Sequence, residues 1–289
     1  SWGGSMYVLG LNTGVHDSSA ALVRDGSLKW LVEQERLSRR KHALNQSPVE
    51  AAAACLAAES IDVDSVDVVA IGWNFRQQLP GGKPGRAEGR PDFIDERIRQ
   101  TVFPGVPPER MPRVECVPHH RAHAASAYYT SGVADAAIIV VDGAGENEST
   151  TIWRGRDGRL ELLREWSPAQ SLGFFYGAAA NWVALDGHWG AGKLMGLAAY
   201  GRRRPGLPVT RRDDGYELIF DENRARSWER PWTRMSPMSF DPDYTAEVNE
   251  SFGRIFPYAQ RHGEHAIAYA DFAASVQHCL DEAMLGVAE

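Results

Sequence analysis

Three histidines lie within five residues near the middle of the chain: His119, His120 and His123. In a helix, residues four positions apart project from one face, so the imidazoles of His119 and His123 would lie one turn apart. Two such imidazoles can bind one metal ion, and a carboxylate can complete the set. Two nitrogen ligands and one oxygen ligand suit iron, zinc or manganese. The spacing alone favours two interpretations about equally: a metal site, and a pair of surface or helix-capping histidines.

Asp142 favours the metal interpretation. It follows the apolar run at 136–141, which predicts a buried strand, and it precedes Gly143 and Gly145. Open α/β sheets bind ligands beyond the carboxyl ends of their strands. Backbone N–H groups of a glycine-rich turn there can also bind a phosphate. The sequence therefore predicts metal ligands at His119, His123 and Asp142, with phosphate-binding positions at Gly143 and Gly145.

The elements that would position these residues recur along the chain. Each of two stretches predicts a strand, a polar loop, a second strand, an Asp-Gly hairpin turn and a third strand leading into a helix. In the first stretch, Ser47, Pro48 and Glu50 indicate a helix start with a capping box. The predicted strands lie at 6–11, 19–24, 27–33, 66–72, 114–117, 136–141, 150–154 and 160–165. The predicted helices lie at 93–101, 119–131 and 265–287, with others near 48–59 and after Ser171, and 203–263 reads as loop-rich.

Composition narrows the class of protein. The 289 residues carry a net charge of −7, which argues against nucleic acid or an anionic membrane surface as partner. No apolar run is long enough to cross a membrane, and no signal peptide is expected. Cys55, Cys116 and Cys279 form neither a metal-ligand spacing nor a disulfide framework, which indicates a cytoplasmic location. Residues 1–5 precede Met6 and read as an expression remnant.

Six motifs occur in order along residues 6–200: GLNTGVHDSSAALVRDG, EQERLSRRKH, HHRAHAASAYY, VVDGAGE, SLGFFY and GKLMGLAAYG. Together they resemble the O-carbamoyltransferases of antibiotic biosynthesis, most of all those that act on the aminoglycoside tobramycin. Nodulation, hydrogenase-maturation and tRNA-modifying carbamoyltransferases are related to that family. The repeated units also resemble the actin-like ATPase superfold. The resemblance implies an α/β fold with duplicated βββα lobes, the first at 6–134 and the start of a second at 135–289.

The resemblance implies a reaction in two stages. Carbamoyl phosphate and ATP, with Mg²⁺, give carbamoyl adenylate, and the carbamoyl group then passes to a hydroxyl of a small-molecule acceptor. The resemblance also implies a divalent metal bound by His119, His123 and Asp142, with Fe²⁺ favoured over Zn²⁺ or Mn²⁺. Relatives continue with a Gly-Gly nucleotide loop, a further Asp ligand and an adenylate-forming domain, so this chain is expected to be a fragment lacking them. Taken alone, it is expected to form no adenylate.

Further site residues follow from the same motifs. His16 is the candidate base for the acceptor hydroxyl, because an imidazole titrates near neutral pH; its alternative is a loop histidine bonded to backbone. Lys193 is expected to bind phosphate, although its segment lacks the residue spacing of a P-loop. The alternative interpretation is that Lys193 is a solvated lysine in a glycine turn. The residues expected to bind the acceptor are Asn12, Asp17, Asp186 and His188.

The acceptor's identity stays open at this point, as do two other functions. One is a sugar or acetate-type kinase, which would use the same fold for phosphoryl transfer. The other is a non-catalytic binding module, which would apply if the native chain ended at Glu289. The His-x-x-x-His spacing argues against the kinase, because kinases of this fold need no imidazole ligands for a metal.

Overall fold

A computed structural model describes residues 4–13, 16–74, 93–185, 187–219, 242–257 and 266–289. The chain has a mixed α/β fold and divides into two compact units, Ser1–Gly132 and Val133–Glu289. Within the described ranges, no helix has both the length and the apolar character needed to span a membrane.

The first unit is built on a five-stranded sheet in the order β3-β2-β1-β4-β5. Strand β1 is antiparallel to β2 and parallel to β4, and β4 is parallel to β5. The β2–β3 turn places Asp25 and Gly26 at φ 50° and 76°, as a two-residue hairpin turn requires. The strands are Tyr7–Asn12 (β1), Ser19–Arg24 (β2), Ser27–Glu33 (β3), Val68–Ile71 (β4) and Arg113–Cys116 (β5).

The described part of the first unit contains four α-helices, and α4 carries His119, His120 and His123. Helix α2 packs against β2 and β3, and Leu9, Leu22 and Ile71 of the sheet are fully buried in the core. The helices are Gln34–Ser38 (α1), Val49–Ala58 (α2), Phe93–Thr101 (α3) and His119–Ser131 (α4). Helix α4 has the bounds predicted for it, 119–131.

The predicted capping box at the start of α2 is wrong. The helix begins at Val49 with Pro48 as its N-cap, and no side chain of that segment caps it. Instead Gln34, a buried residue of α1, accepts a hydrogen bond from the N–H of Ala51 at 3.1 Å. Its amide nitrogen donates to the carboxylate of Glu50. A residue distant in sequence therefore satisfies the helix end, which local sequence patterns cannot reveal.

The second unit begins with a three-stranded antiparallel sheet in the order β6-β7-β8, followed by a helix. A core of aromatic and small residues joins α5, α6, α7 and α8, with Phe175, Phe252 and Phe272 buried at its centre. The strands are Asp135–Val141 (β6), Thr150–Arg156 (β7), Arg159–Trp166 (β8), Val209–Arg212 (β9) and Gly215–Leu218 (β10). The helices are Leu172–Trp182 (α5), Ala191–Ala198 (α6), Pro242–Ile255 (α7) and Ala270–Ala288 (α8).

The two units start in the same way. Each opens with three antiparallel strands, an Asp-Gly turn at positive φ between the second and third strands, and a register shift in that hairpin. These strands and turns were predicted, and the structure confirms them. The loop-rich interpretation of 203–263 is wrong in part, because the β9–β10 hairpin and α7 lie there. The alternative that placed Lys193 in a glycine turn is also wrong, since the residue lies on α6.

Candidate metal and catalytic residues

His119 and His123 form a close pair on the first turns of α4. Their Nε2 atoms lie 3.1 Å apart, and the two rings meet nearly at right angles, at 83°. Trp73 stacks on the His119 ring with centroids 3.9 Å apart. The Nδ1 atom of His119 lies 2.9 Å from the carbonyl oxygen of Gly72. Strand β4 ends just before Gly72 and Trp73, so the sheet edge fixes the orientation of this imidazole.

The hydrogen bond to Gly72 decides which nitrogen of His119 is available as a ligand. A carbonyl oxygen can only accept, so Nδ1 carries the hydrogen and Nε2 carries the lone pair. Histidines that bind metals are oriented by a similar bond to a carbonyl or carboxylate. With metal–nitrogen bonds of about 2.1 Å, two ligands at 90–109° lie about 3.0–3.4 Å apart. The 3.1 Å separation fits this range, and it also fits a hydrogen bond between the two imidazoles.

Asp142 follows β6 in the second unit, as predicted, and its backbone is tightly held. Its Oδ1 accepts from the N–H of Gly143 at 2.6 Å. Ser171, the N-cap of α5, donates through Oγ to the carbonyl of Gly143 at 2.6 Å and accepts from the N–H of Phe174 at 3.0 Å. A Cβ atom at Gly173 would lie only 2.7 Å from the carbonyl oxygen of Asp142. The start of α5 therefore fixes the position of Asp142. Its role as a metal ligand stays a prediction.

The predicted phosphate-binding residues of the second unit lie in two places. Gly143 and Gly145 lie in the turn after Asp142. The N–H of Gly143 donates to the side chain of Asp142, and the N–H of Gly145 donates to the carbonyl of Glu148 at 2.6 Å, which closes the turn. Lys193 is exposed on α6. Their phosphate roles stay predictions.

Two predicted acceptor-binding residues fall at the edge of what the structure describes. The backbone of His188 lies in the short 3₁₀ helix Gly187–Gly190, and its side chain is not among the described ones. Asp186 lies outside the described residues.

The first loop brings three predicted residues together. Asn12 donates through Nδ2 to the carbonyl oxygen of Asp17 at 2.8 Å. The imidazole of His16 lies 2.7 Å from Asp17, through Nδ1 and Oδ2. The other carboxylate oxygen of Asp17 lies 3.0 Å from Nδ1 of His42. Partial burial acts to raise the pKa of Asp17, but hydrogen bonds and charge from His16 and His42 outweigh it and hold that pKa below its usual value.

Sequence reasoning missed the residues that hold the predicted ones in place. His42 lies in the quoted motif EQERLSRRKH, yet nothing in its spacing signals contact with Asp17. Trp73 stacks on His119, and Ser171 donates a hydrogen bond to the carbonyl of Gly143; in both cases only the fold brings the two chain segments close. The one signal that could have revealed Trp73 is its place two residues after the end of the buried strand β4. His120, between the two predicted ligands, is fully buried.

Comparison with known proteins gives a family. Residues 106–288 match the family model described as the carbamoyltransferase N-terminus. The uncharacterized protein sll1178 of Synechocystis sp. is 30% identical over 214 residues, which cover 68% of this chain and 35% of that protein. The nodulation protein NolNO of Sinorhizobium fredii is 26% identical over 275 residues, 87% of this chain and 39% of the relative. The chain thus spans well under half the length of these relatives.

A solved structure with a similar course of the chain is HypF of T. kodakarensis. It shares 10% sequence identity, with a TM-score of 0.40 over 96% of this chain and 44% of HypF. Agreement at this level supports no conclusion about activity.

Proposed function

The chain belongs to the family described as the carbamoyltransferase N-terminus, and from that membership we propose that it forms the acceptor-transfer part of an O-carbamoyltransferase of secondary metabolism. In this proposal, carbamoyl phosphate, ATP and water give carbamoyl adenylate, pyrophosphate and phosphate, and the carbamoyl group of the adenylate then passes to a hydroxyl of a small molecule. The two units would be lobes of an actin-like ATPase fold. The observation that carries the proposal is the His119–His123 pair, oriented by Gly72 and lying within the matched region.

The residues present suit a divalent metal. His119 offers Nε2 as a lone-pair donor, and His123 lies at ligand spacing from it. We assign these two histidines and Asp142 as its ligands, with Fe²⁺ favoured and Zn²⁺ or Mn²⁺ as alternatives. When bound, such an ion polarises a carbonyl group and stabilises negative charge on its oxygen.

The residues of the first loop supply the proton chemistry of the proposal. His16 accepts the proton of the acceptor hydroxyl on Nε2 as the oxygen forms a bond to the carbamoyl carbon. The bond between that carbon and the phosphate oxygen of the adenylate breaks, and AMP leaves with the electron pair. The imidazolium of His16 then returns its proton to solvent, and Asp17 stabilises its charge from 2.7 Å.

The test uses the protein as its complete gene encodes it. Carbamoyl phosphate labelled with ¹⁴C, ATP and a panel of aminoglycoside, macrolactam and nucleoside alcohols are supplied together. We expect AMP and pyrophosphate to form only when carbamoyl phosphate is present, and the label to appear on one class of alcohol. Exchange of labelled pyrophosphate into ATP reports the first stage without any acceptor.

Two outcomes contradict the proposal. ADP as the sole nucleotide product would indicate a kinase of the same fold. Pyrophosphate exchange that does not depend on carbamoyl phosphate would exclude carbamoyl adenylate as the intermediate.

A further inference from the structure

A chain of hydrogen bonds in the first unit links Glu35, His42, Asp17 and His16. The carboxylate of Glu35 accepts from the backbone N–H of His42 at 2.7 Å. The imidazole of His42 contacts Oδ1 of Asp17 at 3.0 Å, and that of His16 contacts Oδ2 at 2.7 Å. The backbone N–H of Asp17 donates to the carbonyl of His42 at 2.6 Å. One carboxylate therefore lies between two imidazoles, with its backbone tied to one of them.

An ionised carboxylate has no hydrogen to donate, so it determines the tautomer of both rings. The pKa of Asp17 is held below its usual value, and the group is ionised at neutral pH. Each Nδ1 atom that contacts it must then carry a hydrogen, and the lone pair of each neutral ring resides on Nε2. The orienting aspartate of a Ser-His-Asp triad fixes its histidine in the same way. In this loop the aspartate is itself oriented by a second histidine.

The backbone shows that the fold holds this arrangement firmly. His42 and Asp17 adopt φ angles of 61° and 52°, in the left-handed region that few residues other than glycine occupy. Such conformations persist where the surrounding contacts determine them, and they concentrate at functional sites. Here Glu35 holds His42, and Asn12 holds the carbonyl oxygen of Asp17 at 2.8 Å.

We propose that His42 is a positioning residue for His16: by orienting the carboxylate of Asp17, it fixes His16 as the Nδ1–H tautomer with Nε2 as its basic nitrogen. This inference rests on the proposed function, in which Nε2 of His16 takes the acceptor proton. His42 itself contacts neither substrate nor reacting atoms in this proposal. It acts only through Asp17.

Two variants separate the hydrogen bond from the backbone conformation. His42→Gly removes the donor, and His42→Asn keeps one, because Nδ2 of asparagine is bonded to Cγ as Nδ1 of histidine is. Glycine and asparagine both tolerate the left-handed φ, so neither variant should unfold the loop. Asp17→Asn tests the carboxylate. The amide of asparagine has only one accepting oxygen, so it cannot accept from the Nδ1–H groups of His16 and His42 through two separate oxygens. His278→Gln, on α8 of the second unit, controls for the loss of an imidazole.

The first measurement is ¹⁵N NMR of the histidine side chains in this chain, which reports tautomers and requires no activity. We expect His16 to be the Nδ1–H tautomer in the unaltered chain, in His42→Asn and in His278→Gln. In His42→Gly and Asp17→Asn, its signals should shift toward a mixture of the two tautomers. A His16 tautomer that is the same in all five proteins would overturn the proposal.

The second measurement is acceptor kinetics in the protein encoded by the complete gene. Loss of a group that orients a metal-binding histidine typically lowers activity about 10–100-fold, and we take this range by analogy for His16. We expect that loss in kcat for His42→Gly, with the KM for the acceptor little changed, and recovery in His42→Asn. Equal kcat in the two variants would contradict the positioning role. If the unaltered enzyme transfers no carbamoyl group, the proposed function fails, while the NMR result still decides the tautomer.

A bound metal is the rival explanation for this cluster, because ligand atoms of Asp17, Glu35 and His42 lie within 4.8 Å of one another. Titration of the chain with Zn²⁺ and Mn²⁺ distinguishes the two. Metal binding that His42→Gly and His42→Asn both abolish, and that the loss of His119 leaves intact, would replace the positioning role with a metal site. Metal binding unaffected by either substitution at His42 supports the positioning role.

Discussion

Gly173→Ala tests how the second unit positions Asp142. A Cβ atom at this position would lie 2.7 Å from the carbonyl oxygen of Asp142, and 2.8 Å from its carbonyl carbon and from the nitrogen of Gly143. Ordinary contacts of such atoms begin near 3.4 Å, so each would be about 0.6–0.7 Å too close. All three neighbours are backbone atoms, and no side-chain rotation can relieve the overlap. The Asp142–Gly143 peptide must therefore move.

The cost of such overpacking is typically about 1–3 kcal/mol. The matched control is Gly196→Ala, since a Cβ at Gly196 meets nothing within 4 Å and the residue lies inside α6. Alanine there should stabilise the protein by up to about 1 kcal/mol, because glycine is the poorer helix former. Urea unfolding followed by circular dichroism gives both changes in the free energy of unfolding.

If Asp142 is a metal ligand as proposed, the same variant should weaken metal binding, because the peptide that carries Asp142 is displaced. By analogy with residues that orient metal ligands, we expect a loss of about 10–100-fold in affinity, measured by calorimetric titration. Gly196→Ala should bind metal as the unaltered chain does. If Gly173→Ala matched the control in both stability and affinity, the close approach of α5 to Asp142 would have no role in the site.

Two further substitutions test the fold around the site. Gln34→Ala should lower the free energy of unfolding by about 1–3 kcal/mol, because it removes the partner of the Ala51 N–H and of the Glu50 carboxylate. Unchanged denaturant midpoints and unchanged amide exchange in α2 would contradict the capping role of Gln34. Burial raises the pKa of Tyr216 from 10.0 to about 12. As the pH rises, the phenol of Tyr216 ionises in the unfolded chain before it ionises in the folded one, so the free energy of unfolding should fall by on the order of 2–3 kcal/mol between those pH values. Tyr216→Phe should flatten this decline in thermal melts at stepped pH. An unchanged slope in that variant would refute the assignment of the decline to Tyr216.

The local elements could be predicted from the sequence because their signals are local. Two short runs on either side of an Asp-Gly pair predicted the first hairpin, and its observed strands are Ser19–Arg24 and Ser27–Glu33, as predicted. Given the predicted helix at 119–131, the histidine spacing likewise predicted the close approach of His119 to His123. Such patterns reflect the two- and 3.6-residue periods of strand and helix, which tertiary packing leaves intact.

The supporting contacts could not be predicted, because they join segments distant in the sequence. The capping of α2 by Gln34 replaced the expected capping box, and it depends on how α1 packs. His42 lies 25 residues from Asp17, and the bond between them exists only because two loops at left-handed φ meet. Helix α7 was missed although Val248 and Phe252 recur at helical spacing and are buried, because the clustered Arg, Trp and Pro residues of the 203–263 segment favoured a loop-rich interpretation.

The central claim is that the His119–His123 pair binds the metal used in carbamoyl transfer. The most direct measurement compares bound metal, transfer to acceptor and AMP formation in His119→Ala, His123→Ala and the control His278→Ala, each in the protein encoded by the complete gene. We predict that the two pair variants lose metal and transfer together while AMP formation dependent on carbamoyl phosphate survives, and that the control retains all three. Unchanged metal content in both pair variants would contradict the account.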